Sequence, residues 1–487
     1  VSETNQDRSL RVAIIGAGPG GLCMASRLRD AGFDDITILE KGNGVGGTWY
    51  HNRYPGCACD IPSHLYSFSF EPKVDWSRPY APQPEIRSYF EQFAEKYDLF
   101  RHCRFGAEVE SAVWSDEQAR WTVGLANGES VEAEIVISAL GMFNDLSEPV
   151  IEGLDAFEGT RFHSARWNWD HDLSGETVGV IGSAASAVQF VPEIVKQAGQ
   201  VYLFQRTANW VLPKLDDPFT DEMIAAFKAD PSIPKAIRNE IFTGVNNGMT
   251  FSDPDALAEF EAAGLGAIDI IEDPEVREKL RPQHPFGCKR PLVSNAFYPA
   301  FNRPNLELVT DGIEHIGANE IVTRDGKHRE IDTLILATGF SATSYLSAID
   351  VRGRGGLRIS DAWNDGAAAY LGMSTSGFPN LFMLYGPNTN NGSILTMIEA
   401  QVGYALRQVQ RIADESLAWI DVLPEPMARF NDEIQEAISN VKVWNAGCTG
   451  YYRTPSGRVV TQWPYSMSDF ATRAAAPDPE LYESVPL

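Results

Sequence analysis

One pattern occurs twice in this chain: a short β-branched strand, a small-residue turn and a helix. The first copy runs from Arg11 to Ile15, through Gly16-Ala17-Gly18-Pro19-Gly20-Gly21, into a helix expected over Leu22 to Ala31. Gly16 suits a tight turn, Gly18 lets backbone approach a pyrophosphate, and Gly21 allows a helix to lie close on a strand. The free N–H groups that open the helix then face an anion. A second strand, Ile36 to Leu39, ends in Glu40, near the offset of about 20 residues at which an acid receives ribose hydroxyls. An acid there repels a 2′-phosphate, so this copy suits FAD or NAD.

The second copy is Thr177 to Ile181, then Gly182-Ser183-Ala184-Ala185-Ser186-Ala187, then a helix expected over Val188 to Ala198 that includes Gln189. Its middle and last glycines have become Ala184 and Ala187. The next strand, Val201 to Phe204, runs into Gln205-Arg206-Thr207 where the first copy has its acid. An arginine and a hydroxyl at that place suit a 2′-phosphate, so NADP(H) is favoured over NAD(H). Two such copies predict an α/β fold with two Rossmann-like dinucleotide-binding domains. Residues 1–145 form the first part of one, residues 146–335 form the other, and residues 336–487 return to the first.

At 487 residues the chain can bury a large core without disulfides or metals. Its formal net charge of −26 disfavours nucleic acid or an anionic membrane surface as a partner. The six cysteines are few and scattered, which predicts a reduced, cytoplasmic protein. The Cys57-x-Cys59 pair has the wrong spacing for a thioredoxin-like motif, and no second pair completes a zinc site, so no metal is expected. No apolar run approaches the ~20 residues that span a bilayer. Asp216 to Arg281 carries 15 acids against 6 bases at helical spacing, broken by Pro231, Pro234, Pro254 and Pro274. It reads as a helical insertion within residues 216–285, its charges forming a solvated face to which no chemistry is assigned.

Between the two copies lies Gly46-Gly47-Thr48-Trp49-Tyr50-His51-Asn52-Arg53-Tyr54-Pro55-Gly56-Cys57-Ala58-Cys59-Asp60. Its glycines permit close backbone approach, Trp49 and Tyr54 supply flat apolar surface, and Asp60 ends the run with a charge, as the wall of a flavin site requires. Farther on come Phe157, Gly159, His163 and Trp167, and then Phe286-Gly287-Cys288-Lys289-Arg290-Pro291, which sets two cations in a loop bounded by glycine and proline.

These segments resemble the Baeyer–Villiger flavin monooxygenases. Phe157, Gly159, His163 and Trp167 are spaced as in that family's FxGxxxHxxxW fingerprint, with Asn168 where Pro or Asp is usual. The stretch ending at Asp60 is similar to its second signature, and Ala337-Thr338-Gly339-Phe340 to the ATG segment of NADPH–flavin monooxygenases. The resemblance implies that Gly47, Thr48, Trp49, Asp60 and Tyr66 join Gly16, Gly18, Gly21 and Glu40 around FAD. Asn390 and Ile394, at a turn entering a helix, are implied beside the flavin ring. Gly182, Ser183, Ala184, Ala185, Ser186, Gln189, Arg206 and Thr207 are implied at NADPH, with Lys289 near its phosphate and Trp444 a wall of the nicotinamide and substrate pocket.

Arg290 and Asp60 are implied as the catalytic pair of a reaction in which NADPH reduces the flavin, O2 adds to it as a C4a-peroxide, and a ketone becomes an ester or lactone through a tetrahedral adduct. Two other readings share the cofactor motifs: oxygenation of sulfur or nitrogen in small molecules, and a non-catalytic module that senses FAD or NADPH.

Overall fold

The computed structural model describes residues 10–448, 450, 452–476 and 479–487. The first strand, β1 (Val12–Ile15), is buried along its whole length and leads into α1 (Pro19–Asp30), which opens on proline, a residue preset for the first helical turn. Then come β2 (Ile36–Glu40), the aromatic helix α2 (Gln83–Lys96), β3 (Cys103–Phe105) and β4 (Ile135–Ser138). In α2 the side chains of Phe90 and Phe93 are buried.

The chain next makes β5 (Thr160–His163), β6 (Thr177–Ile181), α3 (Ala185–Ile194) and β7 (Gln200–Phe204). Four helices follow as the insertion: α4 (Asp221–Ala229), α5 (Ser232–Gly248), α6 (Pro254–Ile268) and α7 (Pro274–Lys279). Pro254 and Pro274 start helices rather than break them, each behind an aspartate whose side chain accepts the N–H groups of the first turn. The strands β8 (Leu306–Val309), β9 (Thr333–Leu336) and β10 (Leu381–Met383) and the long helix α8 (Ile394–Asp414) complete the frame.

Two five-stranded parallel sheets result, in the orders β10-β4-β1-β2-β3 and β8-β7-β6-β9-β5. Each glycine turn leaves a central strand, β1 or β6, and the following strand lies alongside in register, Val12 opposite Ile36 and Thr177 opposite Gln200. The near-continuous apolar runs in these strands follow from burial of both faces of a parallel sheet.

The chain crosses between the sheets twice, and the crossings pair antiparallel. Ser147 donates its N–H to the Gly339 carbonyl at 2.9 Å, Ser341 donates to Asp145 at 2.9 Å, and the Thr338 hydroxyl donates to the Ser147 carbonyl at 2.5 Å.

The expectation of reduced cysteines fails at one pair. Cys288 and Cys448, 160 residues apart in sequence, are joined by a disulfide with their Cα atoms 6.1 Å apart. Cys23, Cys57, Cys59 and Cys103 are free, and burial pushes the Cys57 thiol up to about 12. Count and spacing could not show the pairing, which depends on two distant loops meeting. Among the described residues no helix is long and apolar enough to cross a membrane, and no cluster of His, Cys, Asp or Glu could hold a metal ion.

Candidate active site between the two nucleotide folds

Gly16 has φ +106°, and a Cβ on it would stand 2.6 Å from the Ala139 carbonyl oxygen. A Cβ on Gly21 would run into the carbonyl of Gly16, so the helix can sit this close only on glycine. Gly47 has φ +54°, and its Cβ would stand 2.8 Å from the Cα of Gly18. Bare backbone from two distant segments therefore lies side by side at the start of α1, a cradle fitted to a diphosphate.

Glu40 ends β2 in a buried position. One carboxylate oxygen accepts the Ala17 N–H at 2.9 Å, and the other accepts the Gly42 N–H at 2.7 Å. It braces the turn, and each oxygen keeps a further lone pair for a ribose hydroxyl.

Thr48 opens a single helical turn, Thr48–His51. Trp49 is buried there and donates its indole N–H to the Tyr66 hydroxyl at 3.1 Å, with the two rings edge to face. Tyr54 and Gly56 do something different from lining a flavin wall. The Tyr54 hydroxyl donates to Oε1 of Gln189 at 3.0 Å, and a Cβ on Gly56 would stand 2.7 Å from the Gln189 carbonyl oxygen. The second half of the stretch thus rests on α3 of the other fold.

At the entry to α8, the Asn390 side chain is fully engaged, accepting from the Tyr385 hydroxyl at 2.9 Å and donating to Gln462 at 2.6 Å. Ile394 is half-buried and begins the helix. Beside it Oδ1 of Asn391 and Oγ of Ser393 are buried with no partner among the described residues, which suits a polar ligand edge.

In the second fold, Gly182 has φ +106° and lies against the Ala337 carbonyl, as Gly16 lies against that of Ala139. Ser183 follows it, Ala184 is the residue before α3, and Ala185 is the first residue of that helix. Ser186 meets Ser164 through their hydroxyls at 3.1 Å. The Gln189 amide, expected at the cofactor, is engaged by the protein on both ends, accepting from Tyr54 and donating to the Ala58 carbonyl at 3.0 Å.

Arg206 and Thr207 stand exposed beyond the end of β7. Lys289 is half-buried, and its ammonium is held below its ordinary pKa by burial and then by the charge of Arg206. The two cations therefore lie near enough to repel one another, and neither has a carboxylate partner among the described residues.

Arg290 meets Asp60 across 230 residues of sequence. Its Nε donates to Oδ2 of Asp60 at 2.8 Å, and one terminal nitrogen lies 2.7 Å from the same oxygen. The side chains keep 24% and 33% exposure, so the pair is not shut in a core. Trp444 is buried against Phe251, ring centroids 6.2 Å apart, while its indole N–H has no acceptor among the described residues. Tyr451, in the neighbouring segment, lies outside the described residues.

The fingerprint residues form a frame at the crossing. Strand β5 lies parallel to β9, His163 opposite Leu336. A Cβ on Gly159 would strike the Asp332 carbonyl and stand 2.6 Å from the Phe157 ring. His163 accepts the Ala165 N–H at 3.1 Å and turns its ring toward Phe340, and burial, then Arg166, lowers its pKa. Trp167 packs on Phe162 and Phe190, both at 5.2 Å. Asn168 accepts the Asp170 N–H at 3.2 Å, the local turn an aspartate would make there.

Residues 13–220 match the family described as pyridine nucleotide-disulphide oxidoreductase. A Baeyer-Villiger monooxygenase of Pseudomonas aeruginosa is 41% identical over 465 residues, which cover 94% of this chain and 88% of that protein. The chain belongs to the Baeyer-Villiger monooxygenases. A closed crystal structure of cyclohexanone monooxygenase superposes on this monooxygenase with a TM-score of 0.89 at 30% identity, covering 98% of this chain and 99% of the other. The structure of OTEMO in complex with FAD and NADP does so with a TM-score of 0.89 at 28% identity, again over 98% and 99% of the two chains.

One functional contact of the monooxygenase escapes its sequence. Arg238, on α5, lies among the charges to which no chemistry was assigned, yet one of its terminal nitrogens donates to the carbonyls of His64, Leu65 and Ser67 at 3.0, 3.1 and 3.0 Å. It ties the insertion to the backbone on either side of Tyr66. No local signal marks it, since an arginine on a polar helix face looks the same whether it meets water or a carbonyl cluster. Arg238→Ala is expected to cost about 2–3 kcal/mol of stability and to weaken FAD retention, because charge-assisted bonds are lost and three carbonyls are left without their donor. Thermal melts of the holoenzyme with flavin release as the readout check this, and an unchanged melt with full flavin retention refutes it.

Proposed function

We propose that this chain is an FAD-dependent NADPH monooxygenase that converts ketones to esters or lactones with O2, and that the Arg290–Asp60 pair controls charge at the reacting centre. Residues 1–145 and 336–487 hold FAD, and residues 146–335 hold NADPH. The observation that carries the reading is the ion pair itself, a guanidinium from the second fold's insertion loop placed on a carboxylate of the first fold, in the cleft between two nucleotide cradles.

FAD held at Gly16, Gly18, Gly47 and Glu40 would supply the hydride-accepting and O2-activating chemistry, with NADPH at Gly182 to Ser186 as the reductant. Arginine stays cationic at any working pH and presents a rigid fork of donors, so Arg290 favours an anionic oxidant over its protonated form and holds negative charge as it develops on oxygen. Asp60 fixes the direction of that fork. Trp444 offers its unpartnered indole N–H to the nicotinamide side, and Arg206 with Lys289 receives the 2′-phosphate. The Cα-only face of Gly47 against Gly18 keeps the FAD diphosphate close to α1.

A cytoplasmic setting belongs to the same proposal and is supported by four free cysteines. The function is tested by following NADPH consumption in air with a panel of cyclic and aryl ketones and assaying ester or lactone by gas chromatography. Product formed in step with NADPH supports the reading. Turnover with sulfides or amines alone replaces it with heteroatom oxygenation, and NADPH consumption indifferent to every substrate replaces it with a sensor.

A further inference from the structure

We propose that the Cys288–Cys448 disulfide positions the nicotinamide end of the NADPH site, and that cleaving it loosens the grip on NADP+. The proposal rests on the assignment of Lys289, Arg290 and Trp444 to that site. Cys288 immediately precedes the two cations, and Cys448 lies four residues beyond Trp444. The bond therefore joins the loop that carries the reactive arginine to the segment that carries the buried indole.

The two sides share one aromatic floor. Phe251 touches Phe286 on the cation-loop side, with ring centroids 6.4 Å apart, and Trp444 on the other at 6.2 Å. A Cβ on Gly287 would run into the Phe251 ring, so the loop is pressed onto that floor. The far end of the Trp444 segment is held on its own side, where the Asn445 amide donates to the carbonyls of Ile438, Ser439 and Val441 at 3.0, 3.1 and 3.0 Å and Arg453 donates to the Trp444 carbonyl. Asn445, Ala446 and Gly447 are exposed, and nothing lies within 4 Å of where a Cβ on Gly447 would point. None of these bonds reaches the cation loop, and the disulfide joins the two. A Cβ on Gly450, just past it, would stand 3.9 Å from Cγ of Lys289.

A covalent tether raises the effective concentration of one segment at the other, so both walls of a shared ligand site stay in place when the ligand leaves. Cys288 is buried and Cys448 half-buried, which leaves one sulfur open to a small thiol. With dithiothreitol the reagent's first thiolate attacks that sulfur, and its second closes the reagent's own ring disulfide. The protein S–S bond breaks, two electrons pass to the protein, and Cys288 and Cys448 end as protonated thiols.

The test uses the FAD-loaded full chain, purified with thiols alkylated at lysis so that the disulfide peptide can be weighed in a non-reduced digest. NADP+ affinity is measured by titration calorimetry before and after dithiothreitol, and on Cys288→Ser/Cys448→Ser. The expected result is a linked peptide in the untreated protein, a Kd for NADP+ about tenfold weaker after reduction, and the same weak Kd in the double variant whether or not reductant is present. The rate of flavin reduction at saturating NADPH should stay within about twofold, since a positioning element acts on binding more than on hydride transfer.

Equal Kd values in the two redox forms overturn the proposal, as do two alkylated cysteines in the untreated protein or a reductant effect that persists in the double variant. Reduction of the wild-type chain answers the question even where the double variant fails to fold. Absence of NADP+ binding in every form instead overturns the assignment of the NADPH site, and the latch with it.

Discussion

Arg290→Ala is expected to lower ester or lactone formation by roughly 10²–10³-fold, the usual loss when a preorganised donor at a developing oxyanion is removed, while NADPH still reduces the flavin at a measurable rate. The two outcomes separate because the nucleotide cradles are built from other residues, Gly16 to Gly21 with Gly47 in one fold and Gly182 to Ser186 in the other. Arg290→Lys should recover little of the activity. The contacts at 2.8 and 2.7 Å come from two nitrogens of one planar group on a single oxygen of Asp60, and an ammonium on a flexible stem cannot reproduce that fork. Anaerobic stopped-flow reduction, followed by product assay in air, measures both steps in one preparation. Full ester formation by the alanine variant would remove Arg290 from the reaction.

The second large effect is a change of coenzyme preference. Arg206→Ala should raise KM for NADPH by roughly 10- to 100-fold, the equivalent of one or two charge-assisted hydrogen bonds, and leave KM for NADH nearly unchanged. Two neighbouring cations with no carboxylate partner among the described residues repel one another in a chain that carries 66 acids against 40 bases. A phosphate arriving at them would relieve that cost; Lys289 is held below its ordinary pKa by burial first and by the charge of Arg206 second. Steady-state kinetics with both coenzymes decides the matter. Equal rises in the two KM values would take Arg206 away from the 2′-phosphate.

Much of the frame is legible in the sequence because its determinants are local. The two glycine turns, the acid at Glu40 and the arginine at Arg206 each sit at a fixed offset from a strand that periodicity reveals, and the helix from Ile394 begins at the expected residue. The strand β5 is not legible in this way, because Thr160-Arg161-Phe162-His163 has no apolar run of its own and is ordered by its neighbour β9. The contacts that join the two folds were out of reach. Tyr54 with Gln189, Arg238 with three carbonyls, and Cys288 with Cys448 are separated by 135 to 174 residues, and no local pattern says which surfaces will meet. The sequence stretch ending at Asp60 shows the division clearly. Gly47 and Trp49 behave as their residue types suggest, while Tyr54 and Gly56, chemically just as suited to a ligand wall, are recruited to an interface instead.

The double crossing at Asp145–Ser147 and Thr338–Ser341 has a consequence for how the chain is made. The sheet built on β1 gains its last strand, β10, only at residues 381–383, and α8 opens after it at Ile394. The second sheet is complete with β9, at residue 336. During synthesis the nucleotide unit in the middle of the chain can therefore close while the outer one still waits for its final strand. The outer half leaves the ribosome first, yet its sheet is finished last. An open edge on β4 is exposed for as long as it takes to translate the intervening residues, and that interval is where association with a strand of another molecule would compete with β10.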